Sequence, residues 1–183
     1  MKNKTLAVML ALAAGLAAAG TAQAEGKIYV GAKGGLMMAN YSGFNDALNL
    51  GIYGGFNLLG KDAQYAADLK GGTLAVEGEV TMTPVKGKFT NEFGTSGKWD
   101  DTSIGLFGAY RYPLTEAFYL KGKVGLAHDA VSTTVYSAHD KSTTKLALGV
   151  GGGWKVGPGA FEAEVTTHEG DVTFLSVGFH MNF

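Results

Sequence analysis

Three small sets of residues have types and spacings that could do chemistry. Glu77 and Glu79 stand two apart, which puts both carboxylates on one side of a β-strand. Such a pair can divide acid and base roles. In the second set, His128-Asp129 precedes Ser132 and His139-Asp140 precedes Ser142. These are the residue types of a nucleophile served by a neighbouring base. The third set is His168 and His180, whose separation matches no metal-binding signature. The glycines at Gly151-Gly152-Gly153 are not a phosphate loop, because no helix is expected after them.

Each set also has a plainer reading. Two glutamates on one sheet face, answered by lysine and arginine on the same face, form a structural ion network. A catalytic pair needs its base held within hydrogen-bond reach of the nucleophile, and both His–Ser candidates fall in one expected loop, 128–143. No catalytic residue, metal ligand or cofactor-binding residue is assigned. The chain is expected to need no cofactor and not to be an enzyme.

The elements that position these residues are strands. Alternation with period two dominates the sequence. It predicts eight segments of about ten residues: 27–37, 48–58, 73–83, 102–112, 117–127, 144–156, 160–168 and 172–183. One face of these segments is almost purely apolar, with no charged position on it. In the second strand, for example, it carries Leu48, Leu50, Ile52, Gly54, Phe56 and Leu58. The opposite face holds Tyr29, Tyr53, Phe107, Tyr119, His168 and His180, with glycines between them. It also holds four basic groups, Lys33, Arg111, Lys121 and Lys123, against four acidic ones, Glu77, Glu79, Glu162 and Glu164. Those charges sum to zero and are expected to form an interior network.

Composition narrows the class. The 183 residues carry 15 Lys+Arg and 16 Asp+Glu, a formal net charge of -1, which gives no electrostatic basis for nucleic-acid binding. Charged residues are only 17%, low for a soluble domain. Cysteine is absent, which excludes disulfides, thiolate metal sites and lipidation at cysteine. Lys2 and Lys4, the apolar run 6–19 and Ala22-Gln23-Ala24 read as a secretory signal peptide over 1–24, leaving 25–183 as the exported barrel domain. That apolar run is too short to span a bilayer, and no 18-residue apolar run follows it.

Alternation alone does not say whether the apolar face looks inward or outward. A soluble sandwich would bury it; a membrane barrel would turn it to lipid. Ten-residue strands match a tilted bilayer crossing of about 9–11 residues. The mixed face, with large aromatics among glycines, suits a crowded interior better than a solvated surface. Tyr110, Tyr112, Phe118, Trp154 and Phe161 fall near strand ends, where an interfacial aromatic girdle would lie. The fold expected is all-β: an eight-stranded antiparallel up-and-down transmembrane β-barrel. Closure follows, because an open edge in lipid would leave backbone groups unpaired. The connections 38–47, 84–101 and 128–143 are long and polar, and Tyr41, Phe44, Phe93, Trp99 and Tyr136 are expected to be exposed in them. Segment 59–72 is a further long connection with a helical turn at 62–69. Residues 113–116, 157–159 and 169–171 are tight turns.

The last strand ends Ser176-Val177-Gly178-Phe179-His180-Met181-Asn182-Phe183. With Ser176, Gly178, Met181 and Phe183 at the key positions, it resembles the C-terminal assembly signal of outer-membrane barrels, although Met181 stands where an aromatic is more usual. Residues 25–183 also resemble the small eight-stranded outer-membrane β-barrel family that includes the OmpA transmembrane domain, OmpX and the opacity proteins. The resemblance rests on Ile28-Tyr29-Val30-Gly31-Ala32 and on the strand–turn–strand run 110–123, which begins Tyr110-Arg111-Tyr112-Pro113. It implies insertion into the outer membrane of a Gram-negative bacterium by the barrel-assembly machinery, after export through the periplasm. The implied partners are outer-membrane lipids and an extracellular ligand or host surface met by the loops. A monomer with a structural or adhesin-like role is expected. A narrow porin-like channel for ions or small solutes is one alternative, and a lipid-modifying enzyme is another. Lipid A deacylases use a similar small barrel, but their His-x-Ser spacing is missing here.

Overall fold

The computed structural model describes residues 28–59, 71–90, 94–134 and 141–183. The expected signal peptide, the expected turn at 62–69, Phe93, Tyr136 and His139-Asp140 lie outside the described residues. Nine strands follow in chain order: β1 (Ile28–Ala39), β2 (Ala47–Leu59), β3 (Thr73–Val85), β4 (Gly87–Thr90), β5 (Ser96–Pro113), β6 (Phe118–Thr133), β7 (Lys141–Val156), β8 (Gly159–His168) and β9 (Val172–Asn182). Eight of them form the barrel wall. The short β4 pairs only with the upper part of β5, through Gly87↔Trp99 to Thr90↔Ser96.

All pairings are antiparallel and mostly between chain neighbours. β3 pairs directly with β5 from Thr73↔Arg111 to Met82↔Thr102. The ring closes where β1 meets β9, from Tyr29↔Asn182 to Ala39↔Val172. Phe183 donates its backbone N–H to the Ile28 carbonyl at 2.8 Å, which finishes the seam. No helix among the described residues is long and apolar enough to cross a membrane.

The register decides the faces. Leu50, Leu106, Val124, Val150 and Val177 are 48% to 68% exposed on the outer wall, a surface that water would not tolerate and lipid requires. Tyr29, Tyr53, Phe107 and Tyr119 are buried inside. The outer wall at the tight-turn end carries an aromatic row. Phe118 and Trp154 stack with centroids 5.9 Å apart, Trp154 pairs with Phe161 across the ladder, and Phe161 meets Phe179 at 4.8 Å. Tyr112 stands near the same end on β5.

Two expectations need correction. The connections 84–101 and 128–143 are much shorter than read from the sequence, because β5 begins at Ser96, β6 runs to Thr133 and β7 begins at Lys141. Above the apolar belt the outward positions turn polar, as at Lys98, Asp100 and Thr102, while the hydrogen-bond ladder continues. The hydropathy alternation that marks a strand therefore fades before the strand ends. Trp99, expected to be exposed in a loop, is consequently an inward strand residue and 1% exposed.

The seam also requires glycine. Gly178 lies opposite Lys33, and a Cβ there would stand 2.7 Å from the Ala32 carbonyl and 2.8 Å from the Lys33 Cβ. At Gly35, opposite Ser176, a Cβ would run into the Leu175 carbonyl. Both contacts involve backbone, which yields little. Gly35→Val should therefore destabilise the folded barrel by about 1–3 kcal/mol, the usual range for overpacking. Denaturant unfolding in detergent micelles would read this as a lower midpoint; an unchanged midpoint would show that the seam can open without loss.

Candidate functional site in the barrel lumen

Inward positions from five strands converge at mid-barrel: Lys33 from β1, Glu77 and Glu79 from β3, Arg111 from β5, Lys121 and Lys123 from β6, and Glu162 and Glu164 from β8. The structure brings all eight into one network. Lys33 lies 2.6 Å from Glu79 and 3.2 Å from Glu164. Arg111 bridges Glu77 and Glu162, each at 3.1 Å. Lys121 reaches Glu77 at 2.9 Å, and Glu162 and Glu164 at 3.0 Å. Lys123 reaches Glu79 and Glu164 at 2.7 Å. Each cation thus faces at least two carboxylates.

Aromatic side chains complete the packing. The Tyr29 hydroxyl donates to Glu77 at 2.8 Å and the Tyr119 hydroxyl to Glu162 at 2.7 Å. Arg111 lies over the Tyr29 ring at 4.3 Å and Lys123 over Phe107 at 4.2 Å. The Tyr53 hydroxyl meets His180 Nδ1 at 3.3 Å. Within the network lies a cavity of about 10 Å³, lined by Lys33, Tyr53, Lys121, Glu162 and Glu164 among others. That is about the space one water needs.

Below the network, at the tight-turn end, a cavity of about 160 Å³ is lined by Tyr29, Arg111, Tyr119, Lys155 and His180. Above it lies a polar layer: Asn49, Thr81, Thr83, Asp101, Ser103, Asp129 and His168, all buried. His168 Nδ1 meets the Asp129 carboxylate at 2.9 Å. An apolar cap of Met37, Ala47, Phe89, Trp99, Val172 and Phe174 covers this layer. A second cavity of about 160 Å³ opens at the rim beside the cap, lined by Tyr41, Phe44, Trp99, Asp129, Lys145 and Asp171 among others. Lys145 and Asp171 form an ion pair across it. The hydrogen bond to Asp171 raises the Tyr41 phenol above its ordinary pKa, helped by partial burial.

The candidate nucleophiles are placed differently from the sequence expectation. His128, Asp129, Ser132 and Ser142 stand on strands β6 and β7 rather than in a loop. Alternation sends Asp129 inward to His168, while His128 faces outward. On the outer wall His128 Nε2 and Ser142 Oγ lie 2.6 Å apart, and Nδ1 lies 2.9 Å from Thr144 Oγ1. The sequence set His128 beside Ser132, whereas its partner Ser142 comes from the neighbouring strand through the His128↔Thr144 register. His168 and His180 point into opposite ends of the lumen and share no partner. Among the described residues no group of three or more His, Cys, Asp or Glu is placed to hold a metal.

The assembly-signal residues lie along β9 and just past its end. Ser176 and Gly178 point into the lumen beside Glu164 and Lys33, and Met181 and Phe183 point outward. The inward residues that sequence reasoning missed are Trp99 and Asp101, whereas the alternation already sets Asn49 and Thr81 on the mixed face. For the β5 pair the signal was present, since Trp99, Asp101, Ser103 and Gly105 continue the same alternation upward.

A closed antiparallel barrel with an apolar exterior and a charge-filled interior is a membrane architecture, and the sequence matches the family described as the outer membrane protein beta-barrel domain over residues 5–181. The chain belongs to that family. Three solved structures share the fold of this outer-membrane barrel. A de novo designed transmembrane β-barrel has a TM-score of 0.54 at 12% identity, covering 88% of this chain and 98% of its own. Neisserial surface protein A has 0.53 at 15% identity, covering 85% and 96%. Ail, the attachment invasion locus protein of Yersinia pestis, has 0.51 at 15% identity, covering 87% and 100%. No curated protein matches the sequence significantly.

Charge reversal tests the network. Breaking one partner of a buried pair costs about 3–5 kcal/mol. Glu77→Lys would set a cation against Arg111 and Lys121 and should lower the unfolding midpoint accordingly. The double variant Glu77→Lys with Lys121→Glu should regain part of the loss. No recovery would mean that the eight charges are not energetically coupled.

Proposed function

We propose that this outer-membrane barrel is a closed, non-conducting scaffold that acts structurally and in surface interaction through the connections at its rim. The observation that carries this reading is the filled lumen. Eight charges, each satisfied by an opposite partner, occupy mid-barrel and leave a cavity of about 10 Å³. A passing ion would have to separate buried pairs, at several kcal/mol per broken partner. The rim, by contrast, carries Tyr41 and a cavity bordered by the Lys145–Asp171 pair. Loops on a rigid support commonly bind partners. The names of Neisserial surface protein A and of Ail, an attachment protein, fit a surface role for this barrel shape. The proposal extends to export by cleavage after Ala24, assembly by the barrel-assembly machinery through the 176–183 segment, and a monomeric state.

The pure protein in a planar bilayer should give no stable openings; regular, ion-selective steps would promote the narrow-channel reading instead. Cells displaying the protein should be retained on matrix-coated surfaces better than cells lacking it. Equal retention would remove the surface-interaction half of the proposal.

A second reading, hydrolysis of an ester in the outer leaflet, is favoured by one observation. The Ser142–His128 pair sits on the outer wall, just above the lipid-facing Leu126 and Leu146. The imidazole is oriented by the Thr144 hydroxyl, where the familiar triads use a carboxylate. Lipid extracted from cells carrying Ser142→Ala should show the same acylation as wild type under the scaffold reading. A gain of acyl chains in the variant would establish the hydrolase.

A further inference from the structure

The polar layer above the charge network contains groups that the rest of the fold does not satisfy. Asn49 is 0% exposed, Asp101 1% and Thr81 2%. Both side-chain atoms of Asn49, the Thr81 hydroxyl and both carboxylate oxygens of Asp101 have no hydrogen-bond partner among the described residues. Asp101 also makes no ion pair there: Asp129 is matched by His168, Lys145 by Asp171, and the eight charges below balance one another. Buried polar groups are nearly always paired, and a buried carboxylate most of all.

These residues form one patch. β2, β3 and β5 are consecutive in the wall. Thr81 stands opposite Gly51 on one side and Ser103 on the other. One inward row higher, the Thr83 hydroxyl bonds the Asp101 backbone, donating to its carbonyl at 3.0 Å and accepting from its N–H at 3.2 Å. Asn49 lies beside the same row, at the irregularity between Leu48 and Leu50. Thr81 is therefore diagonal to both Asn49 and Asp101.

The unsatisfied set is four oxygens and one amide nitrogen, with one carboxyl group among them. It has no sulfur or imidazole. Oxygen donors without nitrogen or sulfur select hard cations, and mixed carboxylate, amide and hydroxyl oxygens suit the variable geometry of calcium better than the strict octahedron of magnesium. We propose that Asn49, Thr81 and Asp101 form a calcium-type cation site at the outer end of the lumen, with water completing the coordination. The rim cavity reaches Trp99 and Asp129, inward residues next to Asp101 on β5 and β6. With one carboxylate, the affinity falls in the weak class of extracellular calcium modules, about 10⁻⁴–10⁻³ M.

Trp99 supplies a built-in reporter. It faces the lumen two residues before Asp101, anchored through Nε1 to the Asn45 carbonyl at 2.9 Å, whereas Trp154 stands on the outer wall at the far end. Terbium(III) added to the folded full chain in detergent micelles should luminesce on tryptophan excitation, saturably, and calcium chloride but not sodium chloride should displace it. Calcium should also raise the unfolding midpoint. Asp101→Asn should weaken both effects by at least about tenfold, and Thr81→Val should weaken them less. Trp99→Phe should remove the luminescence and keep the calcium-dependent midpoint. Absence of a saturable signal and of any calcium effect in the wild-type barrel would overturn the proposal. Equal calcium responses in Asp101→Asn would do the same. If Asp101→Asn does not fold, Thr81→Val decides: an unchanged response counts against the site.

Discussion

A backbone N–H or C=O facing hydrocarbon has no water to bond, and each unpaired group costs several kcal/mol. Every other feature of this molecule works within that constraint. The chain meets it by pairing each wall strand on both sides through the belt and by joining β1 to β9. Glycine at positions 35 and 178 allows the two strands to approach at the seam. Closure in turn fixes the diameter. Eight strands enclose a lumen just wide enough for side chains, so the interior must be packed like a core although half of it is charged.

That interior is stable because it is neutral and crowded together. Lysine and arginine from β1, β5 and β6 reach glutamates on β3 and β8, and tyrosine hydroxyls donate to Glu77 and Glu162 as well. Inside a low-dielectric wall an unmatched charge would be far more costly than a missing apolar contact. The same packing that holds the wall apart also blocks it, which is why a structural role follows from the lumen more directly than conduction does.

The lumen is layered along its axis. A cation-rich cavity opens at the tight-turn end, the ion network fills the middle, and the polar layer with Asp101 lies above it under the apolar cap. Above the belt the wall continues as polar-faced strands, so the rim is held by the ladder rather than by loose loops. Rim side chains such as Tyr41 and Lys145 therefore project from a rigid support, a favourable arrangement for recognition.

The period-two pattern by itself determined the number of wall strands, the sidedness of nearly every residue and the neutrality of the eight-charge network. Those properties depend only on which residues alternate along one strand. The eight network residues were legible for this reason, as was the aromatic row from Tyr112 to Phe161. Which partner each residue meets was decided only in three dimensions, by the register between strands. That register joined His128 to Ser142, sent Asp129 to His168 instead, and set Asn49, Thr81 and Asp101 side by side on three strands. Strand length beyond the belt was likewise decided by the ladder, because outside lipid the outward residues no longer need to be apolar and the hydropathy signal ends before the hydrogen bonds do.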